Sequence, residues 1–344
     1  MRSTLIDIAR EAGVSTATVD RVLNNRSGAR SRSRDIVIET ARRLGYLPEL
    51  STQARIKPLA TGSDPIRVDF ALPEGDNAFI TALHNQIESQ ARTRPDLDVR
   101  LHTIEGFNPE TLARTLRDLI GLSMGVGVIA LDHPTVREAL RALAAANVEV
   151  VTLVSDIHHV PRAAYVGIDN RAAGRLAGYL VSRFLGSHAV GKVALLAGSL
   201  SYRGHEEREM GFRHVLSEMA PALEMVDLRE MRDDPEKAYT EAAALLDRHP
   251  DLVAVYNVGA GCQGVGRALK ERGREHGVIF VGHDITDGTR DLLLDGTLDA
   301  VIDQNPRVEA REALNVLSCR IKGTPYDYHA PRLQVIFREN IPES

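Results

Sequence analysis

From Ile66 onward the chain alternates between two hydrophobic periods. Short apolar runs at 66–72, 98–104, 126–131, 149–154, 192–197, 224–229, 252–256, 278–282 and 298–303 read as strands. Amphipathic stretches between them, at 79–92, 109–120, 135–146, 171–186, 236–248 and 307–321, place apolar residues at helical spacing. A strand that is followed by a crossover helix rejoins its sheet in parallel. The pattern therefore predicts an α/β fold with parallel sheets covered by helices on both faces. So many units exceed one comfortable sheet, which predicts two lobes. Ligands of such folds bind beyond the carboxyl ends of the strands, here in a cleft between the lobes.

Residues 1–47 follow a different rule and read as three short helices. Thr4 is a good N-cap for a helix over 4–12 with Leu5, Ile8 and Ala9 on one face, and Gly13 stops it. Ser15 caps a second helix carrying Val19, Val22 and Leu23. Asn24 to Ser31 is a polar loop, and Ser33 opens a third helix with Val37, Ala41 and Leu44, ended by Gly45. Helix one, the Gly13 turn and helix two have the spacing of a helix-turn-helix, with small polar residues at the start of the second helix, the end that meets base edges in a major groove. Residues 48–65 are a hinge or linker, and 57–65 (KPLATGSDP) has linker composition.

Charge supports this division. The whole chain carries −5, yet residues 1–58 hold 11 Arg and Lys against 6 Asp and Glu, while the remainder holds 31 against 41. A basic head on an acidic body fits a protein in which one domain meets phosphate. Aromatics make up 4% and Trp is absent, which excludes a base-stacking platform for single strands. Two cysteines, Cys262 and Cys319, are too few for a disulfide framework and lack metal-ligand spacing. With neither an apolar signal core nor a run long enough to span a bilayer, the chain reads as cytoplasmic.

The segment TLIDIAREAGVSTATVDRVLNNRSGARSRSRDIVIETARRLGYLP resembles the headpiece of the lactose-repressor-type family of bacterial regulators, whose signature runs close to DIAxxAGVSxxTVSRVLN and then LGYxP. The match extends from Asp7 to Pro48. It implies that Thr16 and Ala17 face base edges, that Arg21 reaches a guanine, and that Thr4, Ser15, Thr18 and Asn24 bond phosphates. Asp20 stands where the family has Ser; it either accepts from a cytosine amino group or pairs with Arg21. At the hinge the family has a minor-groove Leu seven residues beyond the Pro, and this chain has Arg55 there, which suits a narrow minor groove instead.

Residues 66–338 resemble that family's effector domain, which is similar to periplasmic sugar-binding proteins of the ribose-binding type. The resemblance implies a type I two-lobed fold, with lobe one about 66–168 and 305–330 and lobe two about 169–304 and 331–344. It rests on Asn77-Ala-Phe79 after the first strand, on YVGIDNRAAGRLAGYL (165–180) and on VGHDITDGTRDLLLDGTLDAVIDQNP (281–306). It implies that Asn77, Phe79, Asn257, Asp284 and Gln304 hold the effector, a sugar or polyol. Carboxylates and amides pair with hydroxyls, and an aromatic face covers the apolar side of a sugar. Asp132 and Asp156, just beyond strands, and Arg203, placed in the loop after 192–197, join that set. Glu206 stands where the family often has an Arg ahead of Gly211-Phe212.

The expected protein is a repressor, a homodimer with a tetramer as the alternative, that binds a palindromic double-stranded operator under the control of a small polar effector, with no cofactor and no catalysis. Two alternatives carry weaker signals. Gly259-Ala-Gly261-Cys-Gln-Gly264 is a formal GxGxxG, as in NAD-dependent oxidoreductases, but it sits in a late βα unit. A ligand-transport protein would not need the basic headpiece. His158-His159 lacks a third metal ligand, and Cys262 near His283 and Asp284 lacks an oxyanion motif.

Overall fold

The computed structural model describes residues 5–23, 37, 40–41, 65–75, 77–105, 107–186 and 188–343. The chain divides into two compact units, Met1–Ser63 and Asp64–Ser344.

In the first unit, α1 (Leu5–Ala12) ends at Gly13, whose φ of +66° is the left-handed value that favours glycine. Val14 N closes the turn onto Ala9 O at 3.0 Å. The α2 helix (Thr16–Leu23) opens at Ser15, whose hydroxyl accepts from Thr18 N at 3.2 Å. Ile8, Ala9, Val19 and Val22 pack with Val37 and Ala41 into a small closed core. These are the apolar positions read from the sequence, and their burial fixes the angle between the two helices.

The second unit carries two sheets. The first has the order β2-β1-β3-β4-β5, built from β1 (Ile66–Pro73), β2 (Leu97–Ile104), β3 (Gly125–Val128), β4 (Glu149–Leu153) and β5 (Ala164–Val166), all paired in parallel. Helices α3 (Ala78–Ala91), α4 (Pro109–Asp118) and α5 (Pro134–Ala145) connect its strands. After α6 (Asn170–Leu185) comes the second sheet, in the order β11-β10-β9-β8-β6-β7. Its parallel strands are β6 (Gly191–Ala197), β7 (Leu223–Glu230), β8 (Leu252–Asn257), β9 (Ile279–His283) and β10 (Ala300–Asp303). The connecting helices are α7 (Arg203–Met219), α8 (Pro235–Arg248), α9 (Cys262–Glu271) and α10 (Asp287–Leu294). Short β11 (Gln334–Ile336) pairs antiparallel with β10.

The chain passes between the sheets three times. It leaves the first sheet between β5 and α6. It returns through Gln304-Asn305 into α11 (Pro306–Lys322), which packs on α3, β3 and β4. After α11 it crosses again to reach β11. Side chains cap most strand-to-helix junctions: Asn77, Asn108, Asp169, Asp234 and Asn305 each accept from a backbone N–H of the following first turn, each worth about 1 kcal/mol over an uncapped end. All nine strand runs expected from the sequence are present. The three-residue strands β5 and β11 and the helices α7, α9 and α10 are additional to the stretches named from the sequence.

Candidate functional site

The carboxyl ends of the two sheets face one another across a cleft whose non-atom space, open solvent included, is about 490 Å³. The first lobe lines it with Asn77, Phe79, Ile80, Ile129 and Ser155; the second contributes Tyr202, His205, Arg208, Asp233, Asp284 and Gln304.

Four expected effector residues meet there. Asn77 caps α3 through Oδ1, which accepts from Phe79 N at 3.0 Å, leaving its amide to point across the cleft. Phe79 is buried against the first core. Asp284 follows β9 with φ +63°, and Gln304 follows β10, ahead of Asn305 with φ +62°. Two non-glycine residues in the left-handed region, at about 1–3 kcal/mol each, are strain held in place by surrounding contacts, as is common where side chains must be aimed. Gln304 Nε2 donates to both Asp284 carboxylate oxygens at 3.0 Å. Burial pushes the Asp284 carboxyl up to about 7, against the opposing pull of Arg208.

The organising cation is Arg208, which the sequence reading did not select. It lies on α7, is 2% exposed, and donates to Asn170 Oδ1, Val258 O and Gln304 Oε1, each at 2.7 Å. Arg208 precedes Gly211-Phe212 by three residues, and Glu206, two residues earlier, is exposed on the helix. The crossing of α6 and α7 needs glycine. A Cβ at Gly174 would lie 1.9 Å from Arg208 O, and one at Gly211 would lie 2.2 Å from Arg171 O. His205, one turn before Arg208, has Nδ1 2.8 Å from Ser199 O; burial first and Arg208 second push its pKa down to about 4.

The other expected residues lie outside the lining. Asp132 pairs with Arg137, and Asp156 is held by Thr152 and Arg162. Arg203 opens α7 instead of sitting in a loop, and its Nε pairs with Glu207 at 2.9 Å. Each charge is thus already neutralised by a neighbour on its own lobe. Asn257 is fully buried beneath the cleft wall, its amide donating to Gly259 O and Ala260 O at 3.1 Å. Behind the cleft, Glu309 on the first turn of α11 is wholly buried with neither carboxylate oxygen bonded, and burial first, then Asp284, raises its pKa well above the usual range.

In the first unit, Ser15 and Thr16 are exposed at the start of α2 and Thr18 half-exposed one turn in. Ala17 and Arg21 fall on α2, but their side chains, like Thr4, Asn24 and Arg55 entirely, lie outside the described residues.

The glycine run 259–264 serves packing. Gly261, at φ +95°, begins α9, and a Cβ at Gly264 would lie 2.1 Å from Pro235 O. Burial pushes the Cys262 thiol up to about 11, far from a nucleophilic thiolate. Among the described residues no group of three or more His, Cys, Asp or Glu could hold a metal ion, and no helix is long and apolar enough to cross a membrane.

Two parallel-sheet lobes around a polar cleft, joined by three crossings, define a ligand-binding fold of the periplasmic type. Residues 68–325 match the periplasmic binding protein domain, and residues 4–49 match the bacterial regulatory proteins of the lacI family. The chain belongs to the lacI family of bacterial regulatory proteins: it is a helix-turn-helix transcriptional regulator with a periplasmic-binding-protein-like domain. It is 25% identical over 277 residues, 79% of this chain and 78% of the other, to the HTH-type transcriptional regulator DegA of Bacillus subtilis. Over 143 residues, 41% of this chain and 43% of the other, it is 32% identical to a D-ribose/D-allose-binding protein of Pseudomonas aeruginosa. The glucose-galactose binding protein GanP of Geobacillus stearothermophilus shares the fold, with a TM-score of 0.75 and 23% identity, covering 81% of this chain and all of that one.

Proposed function

We propose that this regulator is a cytoplasmic homodimeric repressor whose operator affinity is set by a small sugar or polyol in the inter-lobe cleft, and that it catalyses no reaction. Functionally the chain is read as residues 1–47 for DNA, 48–65 as hinge and 66–338 for effector. The observation that carries the effector assignment is the chain Arg208–Gln304–Asp284 facing Asn77 and Phe79. It sets fixed hydrogen-bonding groups on one wall against an aromatic ring on the other, the combination that recognises a polyhydroxylated ring. The sugar ligands named for the ribose/allose and glucose-galactose relatives support the same class.

At the headpiece, Thr16, Ala17 and Arg21 read bases, while Thr4, Ser15, Thr18 and Asn24 hold phosphates and Arg55 enters the minor groove. One headpiece makes too few contacts for specific affinity, so two copies bind half-sites about one helical turn apart. The effector acts by changing lobe closure, which changes how two headpieces are presented.

The test is a thermal-shift screen of the full chain over neutral sugars and polyols, followed by operator titration with each hit. A hit raises the melting temperature by mass action and changes operator affinity by about 5–150-fold. A screen with no sugar or polyol hit overturns the effector class, and a hit without any effect on operator affinity overturns the coupling.

A further inference from the structure

The cleft contains a charged group that no sequence signal marked. Asp233 sits in the turn between β7 and α8, and both it and Arg232 adopt left-handed backbone, at φ +57° and +55°. Successive strained non-glycine residues persist where the fold over-determines them, and here the result is to aim a carboxylate into the cleft. Asp233 Oδ1 accepts from Ala260 N at 3.0 Å. Its Oδ2 accepts from Asn77 Nδ2 at 3.0 Å, a bond that spans the two lobes. Room for the carboxylate comes from two glycines: a Cβ at Gly198 would lie 2.2 Å from Asp233 Oδ1, and one at Gly259 would lie 2.9 Å from it.

No cation neutralises this carboxylate among the described residues. Arg208 spends three donors on Asn170, Val258 and Gln304. Arg232 is exposed and lines a second cavity together with Glu74, Asn77 and Asp233, yet it makes no ion pair with Asp233. The acidic side chains of the lining are Asp233 and Asp284, and its aligned amides are already acceptor-paired or capping. A carboxylate without a counter-ion beside a ligand site attracts donors and repels anions.

We propose that Asp233 is the charge-specificity residue of the cleft: it exchanges its bond to Asn77 for one to a hydroxyl or ammonium group of the effector, and so admits neutral and amino sugars while rejecting sugar acids and sugar phosphates. This rests on the sugar reading above and narrows it. The exchange also couples recognition to closure, because the bond given up is the one that ties Asn77 on one lobe to Asp233 on the other.

The experiment is calorimetric titration of the full chain and of its Asp233→Asn variant with matched probes: D-galactose against D-galacturonate, and D-glucose against D-glucosamine and glucose 6-phosphate. Asparagine keeps the shape and an oxygen for Ala260 N, so circular dichroism of the variant should match the parent. The expected result is that a neutral or amino sugar binds the parent about a hundredfold more tightly than its acid or phosphate partner, as like-charge juxtaposition predicts. In Asp233→Asn that ratio should fall below about tenfold. An acid or phosphate that binds the parent as tightly as its neutral partner overturns the proposal, and so does a ratio unchanged by the substitution; in either case the sugar reading stands. If no probe of any charge binds the parent, this assignment is overturned for want of the neutral or amino sugar it requires, while the sugar reading is decided by the wider screen above.

Discussion

Arg208 donates to Gln304 at 2.7 Å, and Gln304 passes the interaction on by donating to both oxygens of Asp284. A cation, an amide and a carboxyl thus form one relay in which each member is oriented by the one before it. Such networks are worth more than pairwise deletions suggest. Replacing Arg208 by Met should cost about 3–5 kcal/mol, because it leaves the acceptors of Asn170, Val258 and Gln304 buried without donors. Urea unfolding monitored by circular dichroism measures the loss; a change below about 1 kcal/mol would show the relay to be solvated instead.

Asp284→Ala and Gln304→Ala should each abolish the response to whatever sugar raises the parent's melting temperature, while operator binding without effector stays within about threefold. The readout is operator titration with and without that sugar. A mutant that still responds at the parent's sugar concentration moves the sensing site elsewhere.

The pH dependence has a definite sign. Asp284 is raised to about 7 in the folded chain, above its unfolded value, so the native state binds the proton more tightly. Between the unfolded carboxylate range and pH 7 the folded state holds more proton than the unfolded state, and stability falls as pH rises through that window. Asp284→Asn removes the ionisation. The stability of that variant relative to the parent should therefore climb from pH 4 to pH 7 and level off above. His205 acts in the opposite sense. Its folded value near 4 lies below the unfolded one, so the parent loses stability as pH falls below about 6.5, and His205→Gln should flatten that acid limb. Denaturation midpoints across pH 4–8 test both.

Gly174→Ala should destabilise by about 1–3 kcal/mol or more through overpacking, since its Cβ would meet Arg208 O at 1.9 Å. Gly178→Ala, one turn on, meets Phe212 O at 3.0 Å and should cost less. Comparable losses at both would mean that the helices separate freely and that the close crossing does not hold Arg208.

Arg21→Ala should cost about 1–3 kcal/mol of operator affinity and relax specificity at one base pair per half-site. Binding measured on operators substituted one position at a time separates this from a phosphate contact, which would lose affinity uniformly.

Most of the fold was legible because its signals are local. Strands covered on both faces read as unbroken apolar runs, and capping residues mark where most helices begin. What escaped was small or disguised. The strands β5 and β11, three residues each, are too short to show a period. The inward face of α7 consists of Gly204, Arg208, Gly211, Phe212, Val215 and Leu216, so in its first half glycine and arginine occupy positions where a hydrophobic period would be sought. The same disguise hid Arg208, and led to Arg203 being read as a loop residue. Asp132 and Asp156 had the right placement after strands, but a partner five or six residues away took each charge, and nothing in strand position announces such a partner. Asp233 was invisible because its role depends on a left-handed turn and on two distant glycines.

The three chain crossings between the sheets have a mechanical meaning. Segments side by side act as parallel flexures: they bend together about a common line and resist sliding or twisting of one sheet against the other. A body so constrained has essentially one way to move. Side chains in the cleft can then be exchanged for others that grip a different molecule, and the motion of one sheet against the other keeps its direction and changes only in extent.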